Sequence, residues 1–227
     1  MAFIKKVIIV LIVLAVLLYF GIQAYTIVSI SKNGYEPVPI EIVKIGKSIP
    51  ENPYDYGDCI ADLPWGVETV DPDLTLRMNK EKGIAFNYGS IESMYAMMLE
   101  YDEYKPFFEK NNIHSNEDLT CYLYSFNSKD ISWKYLFKPA KELAQATYIT
   151  LLQNISQDQV EKVYDVRNDD LRAIVAVRKV GEGTSYGISM TSPIHKNTLK
   201  FTIMVNGNSL TEEDIFNFIS TISFKEE

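Results

Sequence analysis

The chain has 227 residues and a formal net charge of −8, with 47% hydrophobic and 23% charged residues. Those proportions exclude wholesale disorder and collagen-like repeats, and the length suits one mid-sized domain or two small ones. Two cysteines exclude a disulfide-dense scaffold and a multi-cysteine metal site, and two histidines, His114 and His195, leave little for an all-histidine cage.

The charge is unevenly placed. Residues 1–30 carry Lys5 and Lys6 and no acid, so the remainder holds 20 basic side chains against all 30 acids. An acidic domain repels a phosphate backbone, and nucleic acid is not an expected partner. A basic protein partner fits the charge; so does plain solubility, which needs no partner.

Between Val7 and Ile30 no residue is charged. These 24 residues exceed the ~20 that a helix needs to cross the hydrocarbon core. Tyr19 and Tyr25 stand towards the far end, where amphipathic rings favour the interface. Residues 1–30 therefore read as a single-pass anchor, with the lipid bilayer as partner through residues 7–30. Lys5 and Lys6 favour a cytoplasmic N-terminus, which places the C-terminal domain in the periplasm or outside the cell. A signal peptide cleaved after Ala24 is the alternative. It would put Ile22 at −3, where a small residue is wanted.

Residues 31–53 read as a linker or stalk. Ser31-Lys32-Asn33-Gly34 is turn chemistry, Pro37, Pro39 and Pro50 recur without amphipathic period, and Glu41–Ile45 alternates enough for a short strand or an extended linker. A single α+β domain is expected over residues 54–227. Cys59–Leu63, Val67–Val70, Leu74–Met78 and Ile84–Tyr88 are its first strand candidates, the last two forming a hairpin.

The middle of the chain is helical. Ser90 is placed to cap a helix with Ile91, Met94, Tyr95, Met98 and Tyr101 on one face, ended or kinked by Pro106. Ser115 and Asp118 resemble a capping box before Leu119, Tyr122, Leu123 and Phe126. Asp130 is placed to cap a third segment. After Pro139, Ala140, Leu143, Ala144, Thr147, Leu151 and Ile155 form a stripe. The period then switches to 2 over Val163–Val166, Leu171–Val180, Tyr186–Met190 and Leu199–Val205, joined by short turns, which implies an antiparallel meander. Thr211 caps a final helix whose Ile215, Phe218, Ile219 and Ile222 face the sheet. Strands, helices, strands, helix is an α+β order: an antiparallel sheet with helices packed on it and a helical insertion in the middle.

A strand running into Leu63-Pro64-Trp65, a meander, and Leu210-Thr211-Glu212-Glu213-Asp214-Ile215 leading to Ile219-Ser220-Thr221-Ile222-Ser223-Phe224 resemble the PsbP-like superfamily. The resemblance covers only the two ends of residues 54–227. It implies an α/β/α domain and a non-enzymatic accessory or binding role, and it transfers no catalytic residue.

No catalytic or cofactor fingerprint stands in the sequence. Gly181-Glu182-Gly183 precedes a strand, whereas a phosphate loop must open a helix, so it reads as a hairpin turn. His114 and His195 sit in polar turns beside Ser115 and Ser192, without the exposed elbow that a serine nucleophile needs. Asp169-Asp170 is turn chemistry, and Glu212-Glu213-Asp214 meets a helix dipole. Cys59 and Cys121 either pair as a disulfide or remain two buried thiols. Among clustered aromatics (Tyr95, Tyr101, Tyr104, Phe107 and Phe108), Tyr101 and Tyr104 stand beside Asp102 and Glu103 and are the expected interaction patch. The expected role is that of a membrane-tethered extracytoplasmic binding domain. A protective protein against a basic toxin and a hydrolase without a recognisable motif are the alternatives.

Overall fold

The structure, a computed structural model, describes residues 2–71, 75–156, 159–193, 195–207 and 209–225. Leu74 lies outside that description, as do the side chains at 2–6 and 154–156, including Lys5, Lys6 and Ile155. The chain forms two compact units: 1–37 with 125–158, and 38–124 with 159–227.

The second unit is built on an eight-stranded sheet. Its strands are β1 (Ile40–Lys44), β4 (Glu68–Asp71), β5 (Leu76–Asn79), β6 (Ile84–Ile91), β7 (Val160–Arg167), β8 (Arg172–Val180), β9 (Gly183–Thr191) and β10 (Thr198–Val205). They run in the order β1-β7-β8-β9-β10-β6-β5-β4. The meander from β7 to β10 is antiparallel throughout, as the alternation implies. One pairing departs from that pattern. Ile40–Lys44, inside the expected linker, joins the edge in parallel with β7 and makes the sheet mixed. A second sheet of three short strands, β2 (Pro53–Asp55), β3 (Cys59–Asp62) and β11 (Ser223–Phe224), has the order β11-β3-β2.

Period 2 decides what each face of the large sheet meets. Ala173, Val175 and Val177 of β8, Tyr186, Ile188 and Met190 of β9, and Leu199, Phe201, Ile203 and Val205 of β10 point into one core. There they meet Cys59 and Ala61 of the small sheet, and Ile215, Phe218 and Ile219 of α6 (Glu212–Ser220) with Ile222 just beyond. The Thr211–Asp214 capping box is complete, each side chain bonded to the other's backbone. Val163, Ile174 and Ala176 point to the opposite face, against Tyr124 of α4 (Asn116–Ser125).

The helices between β6 and β7 depart from the expectation. Ser90 and Ile91 are strand, paired with Leu199 and Thr198, so Ser93 caps the helix instead, through the Ala96 amide. That helix, α2 (Met94–Leu99), is one turn and a half long, and Pro106 opens a new one, α3 (Lys105–Lys110), rather than ending the old. Proline suits a first turn because the amide it lacks has no partner there. Ser115 accepts from the Asp118 amide, but the Asp118 carboxylate turns to the His114 amide, so the box is not reciprocal. Glu117 accepts from the Thr191 amide at 2.6 Å and its hydroxyl at 2.7 Å, fastening the first turn of α4 to the end of β9.

The first unit holds α1 (Ala2–Asn33), α5 (Ala140–Ser156) and two 3-10 turns, Ser128–Asp130 and Trp133–Phe137. Asp130 ends the first turn rather than capping a helix; Asn127 is the cap. Over Val7–Asn33, α1 is long and apolar enough to cross a membrane, and its large side chains from Val7 to Phe20 are exposed. Among the described side chains of α1, burial begins at Gln23 and recurs at Ile27 and Ile30. Ile27 and Ile30 pack with Ile131, Leu143 and Ala146, flanked by Phe126, Tyr135 and Leu136. On α5 the buried face runs through Leu143, Ala146, Ile149 and Leu152, while Leu151 of the expected stripe is exposed.

Candidate functional site

The expected patch lies on and after α2. Tyr101 is 60% exposed, with exposed Met97 one turn before it and exposed Glu100, Asp102 and Glu103 around it. Tyr104 is half-buried. Its ring meets Tyr101 edge-on at 6.4 Å and stacks at 6.4 Å on the buried ring of Phe108. Tyr95 and Phe107 join the same aromatic set through Phe108, and Phe107 contacts Tyr122 of α4 at 5.4 Å. An exposed tyrosine is thus held by rings that are rooted in the core. Asp102 bonds Lys105 at 2.6 Å, and that hydrogen bond holds its carboxyl below the usual range. Glu100 and Glu103 make no ion pair among the described residues. The surface is apolar at its centre, at Met97 and Tyr101, and acidic at its rim.

The two cysteines are both free thiols. Cys59 lies in the core beneath one face of the large sheet, and Cys121 packs beside Val163 and Ile174 on the other. The sheet stands between them, so the disulfide left open by the sequence is not made. Burial pushes the Cys59 thiol up to about 12 and the Cys121 thiol up to about 11. Neither carries thiolate at neutral pH, which is the form that nucleophilic chemistry requires.

Two clusters escaped the sequence reading. In the first, buried Asp165 of β7 accepts from Arg167 Nε at 2.9 Å and from Arg172 Nε at 3.0 Å and Nη2 at 2.9 Å. Arg172 also reaches Asp118 of α4 at 2.6 Å. Burial pushes the Asp165 carboxyl up, but the bonds from Arg167 and Arg172 outweigh it and hold it below the usual range; Asp118 follows the same balance. The four charges compensate one another and tie α4 to the sheet. In the second, the buried guanidinium of Arg77 lies 4.2 Å from the Tyr54 ring centre and 5.6 Å from that of Tyr88. The Tyr54 and Tyr88 hydroxyls are 3.4 Å apart. Bonding to Tyr88, with Arg77 nearby, makes Tyr54 the more acidic, whereas burial pushes Tyr88 up. This box joins the small sheet to β5 and β6. Its one advance signal was a lone arginine in an apolar strand candidate, which gives no hint of partners.

His195 is exposed and meets Asp58 at 3.0 Å through Nδ1; the His114 amide serves Asp118. Gly181-Glu182-Gly183 is the β8–β9 hairpin turn, with Gly181 at φ 60°. Among the described residues no group of three or more His, Cys, Asp or Glu gathers to hold a metal ion. An open cleft of about 360 Å³ is lined by Ser48, Asn52, Asp62, Trp65, Asn217 and Ser220. No family model, curated protein or solved structure matches the chain.

Proposed function

We propose that the chain is a single-pass membrane protein that holds an acidic α+β binding domain at the extracytoplasmic surface. The observation that carries this reading is the exposed apolar surface of α1, unbroken from Val7 to Phe20. Water does not tolerate such a surface on a monomer, and a bilayer does. The binding role draws on the second unit, whose perturbed carboxylates are engaged by arginine or lysine, and whose Tyr101 patch faces solvent with an acidic rim. The partner fitting it is a basic protein segment. The PsbP-like reading of an accessory domain is compatible with how the two ends of residues 54–227 meet: Ser223 and Phe224 pair with Ile60 and Cys59, and Trp65 lies 5.6 Å from Phe218.

Fractionation tests the tether, with protease added outside intact cells. The protein should stay with membranes through an alkaline wash, and the second unit should be digested from outside while an N-terminal tag is protected. Recovery of a soluble mature form beginning at Tyr25 overturns the tether.

A further inference from the structure

The turn Trp133–Phe137 carries apolar surface that its own unit leaves uncovered. Tyr135 and Leu136 pack towards Ile27 and Ile30 of α1, whereas Trp133 is 55% exposed and Phe137 86% exposed. Two neighbouring aromatics this open are unusual on a surface that faces only water. The charge around them also runs against the rest of the molecule. Residues 129–142 hold four lysines and two acids, in a chain that is acidic outside its first 30 residues. Lys129 pairs with Glu36, and Lys138 pairs with Glu142 while lying over the Tyr135 ring. Lys134 and Lys141 make no ion pair among the described residues.

The position of this turn along α1 is fixed. The Ser128 hydroxyl accepts from the Tyr35 amide at 2.7 Å, two residues beyond the helix end, and the Ser128 amide returns a bond to the Tyr35 carbonyl at 3.2 Å. The candidate span Val7–Asn33 has 27 residues. At ~1.5 Å per residue it is about 40 Å long, against ~30 Å of hydrocarbon. The surplus is about two turns, and Ile27 and Ile30 lie in the last two. With the uncharged run entering the hydrocarbon at Val7, directly after Lys5 and Lys6, the segment packed on them stands where hydrocarbon gives way to headgroups.

We propose that Trp133–Phe137 is a membrane-interface collar: Trp133 and Phe137 insert into the headgroup boundary of the leaflet from which α1 emerges, and Lys134 and Lys141 meet anionic lipid phosphates. The proposal rests on the tether reading. Rings with an apolar body suit this layer, and lysine stems extend their charge towards phosphate. The collar fixes how the chain leaves the membrane, a task that a free linker does not perform.

The full chain reconstituted in vesicles of mixed zwitterionic and anionic lipid provides the test. Trp65 and Trp133 are the two tryptophans, so the difference between wild type and Trp133→Phe reports Trp133 alone. Lipids brominated near the headgroup end of the acyl chain should remove most of the Trp133 emission, and lipids brominated at the chain terminus should remove little. The double variant Lys134→Gln with Lys141→Gln should reduce the shallow quenching and its dependence on anionic lipid. Vesicles that float with the protein while Trp133 ignores bromine overturn the collar and leave the tether standing. Blue-shifted emission that ignores bromine would mean that a protein surface, such as a second copy, covers the ring, and it overturns the collar equally. Protein that does not float overturns the tether and the collar together.

Discussion

The two units dispose of their apolar residues in opposite ways. In the sheet unit, four successive strands alternate, and nearly every apolar side chain on the core face is consumed within the unit. In the helical unit, Ile27, Ile30, Ile131, Leu143 and Ala146 form a small buried cluster, while α1 leaves most of its described apolar length outside. Hydrophobic burial is the main favourable term in folding, so the sheet unit is stabilised by its own interior. The helical unit leaves that burial unfinished along α1. Composition alone does not separate these cases; what differs is whether the apolar residues keep a period that leaves a polar face.

The comparison is broken most directly by truncating one side chain of each kind. Phe86 is fully buried and meets the rings of Tyr56, Trp65, Phe201 and Phe218. Phe86→Ala should cost the sheet unit about 3–5 kcal/mol, through lost transfer free energy and a residual cavity. Leu17 of α1 is 63% exposed, and Leu17→Ala should leave the same transition in place. Denaturant unfolding in detergent, followed by near-ultraviolet circular dichroism, reads both; equal shifts would erase the distinction.

Next in size is the charge cluster. Asp165→Asn removes the only carboxylate that Arg167 meets among the described residues and leaves Arg172 with Asp118 alone; it should cost about 3 kcal/mol, the low end for a broken buried pair because both arginines keep some contact with water. The linkage has a definite sign. Asp165 and Asp118 are held below their unfolded value, which is about 3.9. Their contribution is complete above that value and is lost as pH falls through the lower folded one. Wild type should therefore lose stability more steeply below about pH 4 than Asp165→Asn does. Parallel acid profiles would show that the pairs are not linked to folding.

How much of this was legible follows the same division. The strands from β7 to β10 and the Thr211 cap were readable because alternation and capping are local signals. The parallel pairing of Ile40–Lys44 was not, since a five-residue run among prolines does not name its neighbour. Ser90 and Ile91 follow a helical period and yet are strand, because Leu199 and Thr198 offer a ladder that the local pattern does not contain. On α5, counting apolar residues selected Leu151; the α1 face that decides the matter, Ile27 and Ile30, sits in a helix apolar all round and marks no preferred side. Tyr101 was legible as an exposed ring because Asp102 and Glu103 stand beside it, and Tyr104, read in the same way, is half-buried. The cluster at Asp165 was not, because its members come from β7, β8 and α4.

A smaller effect sharpens the comparison from the helical side. A Cβ on Gly34 would stand 2.7 Å from the Ser128 hydroxyl and 2.8 Å from the Ile30 carbonyl. Gly34→Ala must push Ser128 off the helix exit, at a cost of about 1–3 kcal/mol, the usual range for overpacking. Amide exchange at Ser128, Ile131 and Tyr135 should accelerate, while Ile188 and Phe201 in the sheet keep their protection. Acceleration in both would mean that the units open together.

The smallest expected effect is none. Denatured protein from its native compartment, kept unreduced, should count two free thiols, and removing reductant should leave the unfolding midpoint where it was. A bridge between Cys59 and Cys121 would close a long loop and contribute about 4 kcal/mol in the chain-entropy model, a shift too large to overlook. Cys59 is among the side chains of one core and Cys121 among those of the other, with β7 and β8 contributing alternate residues to each. Joining them would require a side chain to pass through a hydrogen-bonded sheet, because a bridge brings Cα atoms within roughly 7 Å. Their raised thiol pKa values, from burial, further predict slow alkylation in the native state at neutral pH and a rate that climbs with pH well past the range of a free thiol. Alkylation of Cys59 at the rate of a free thiol would show that the core beneath the sheet opens far more often than its packing allows.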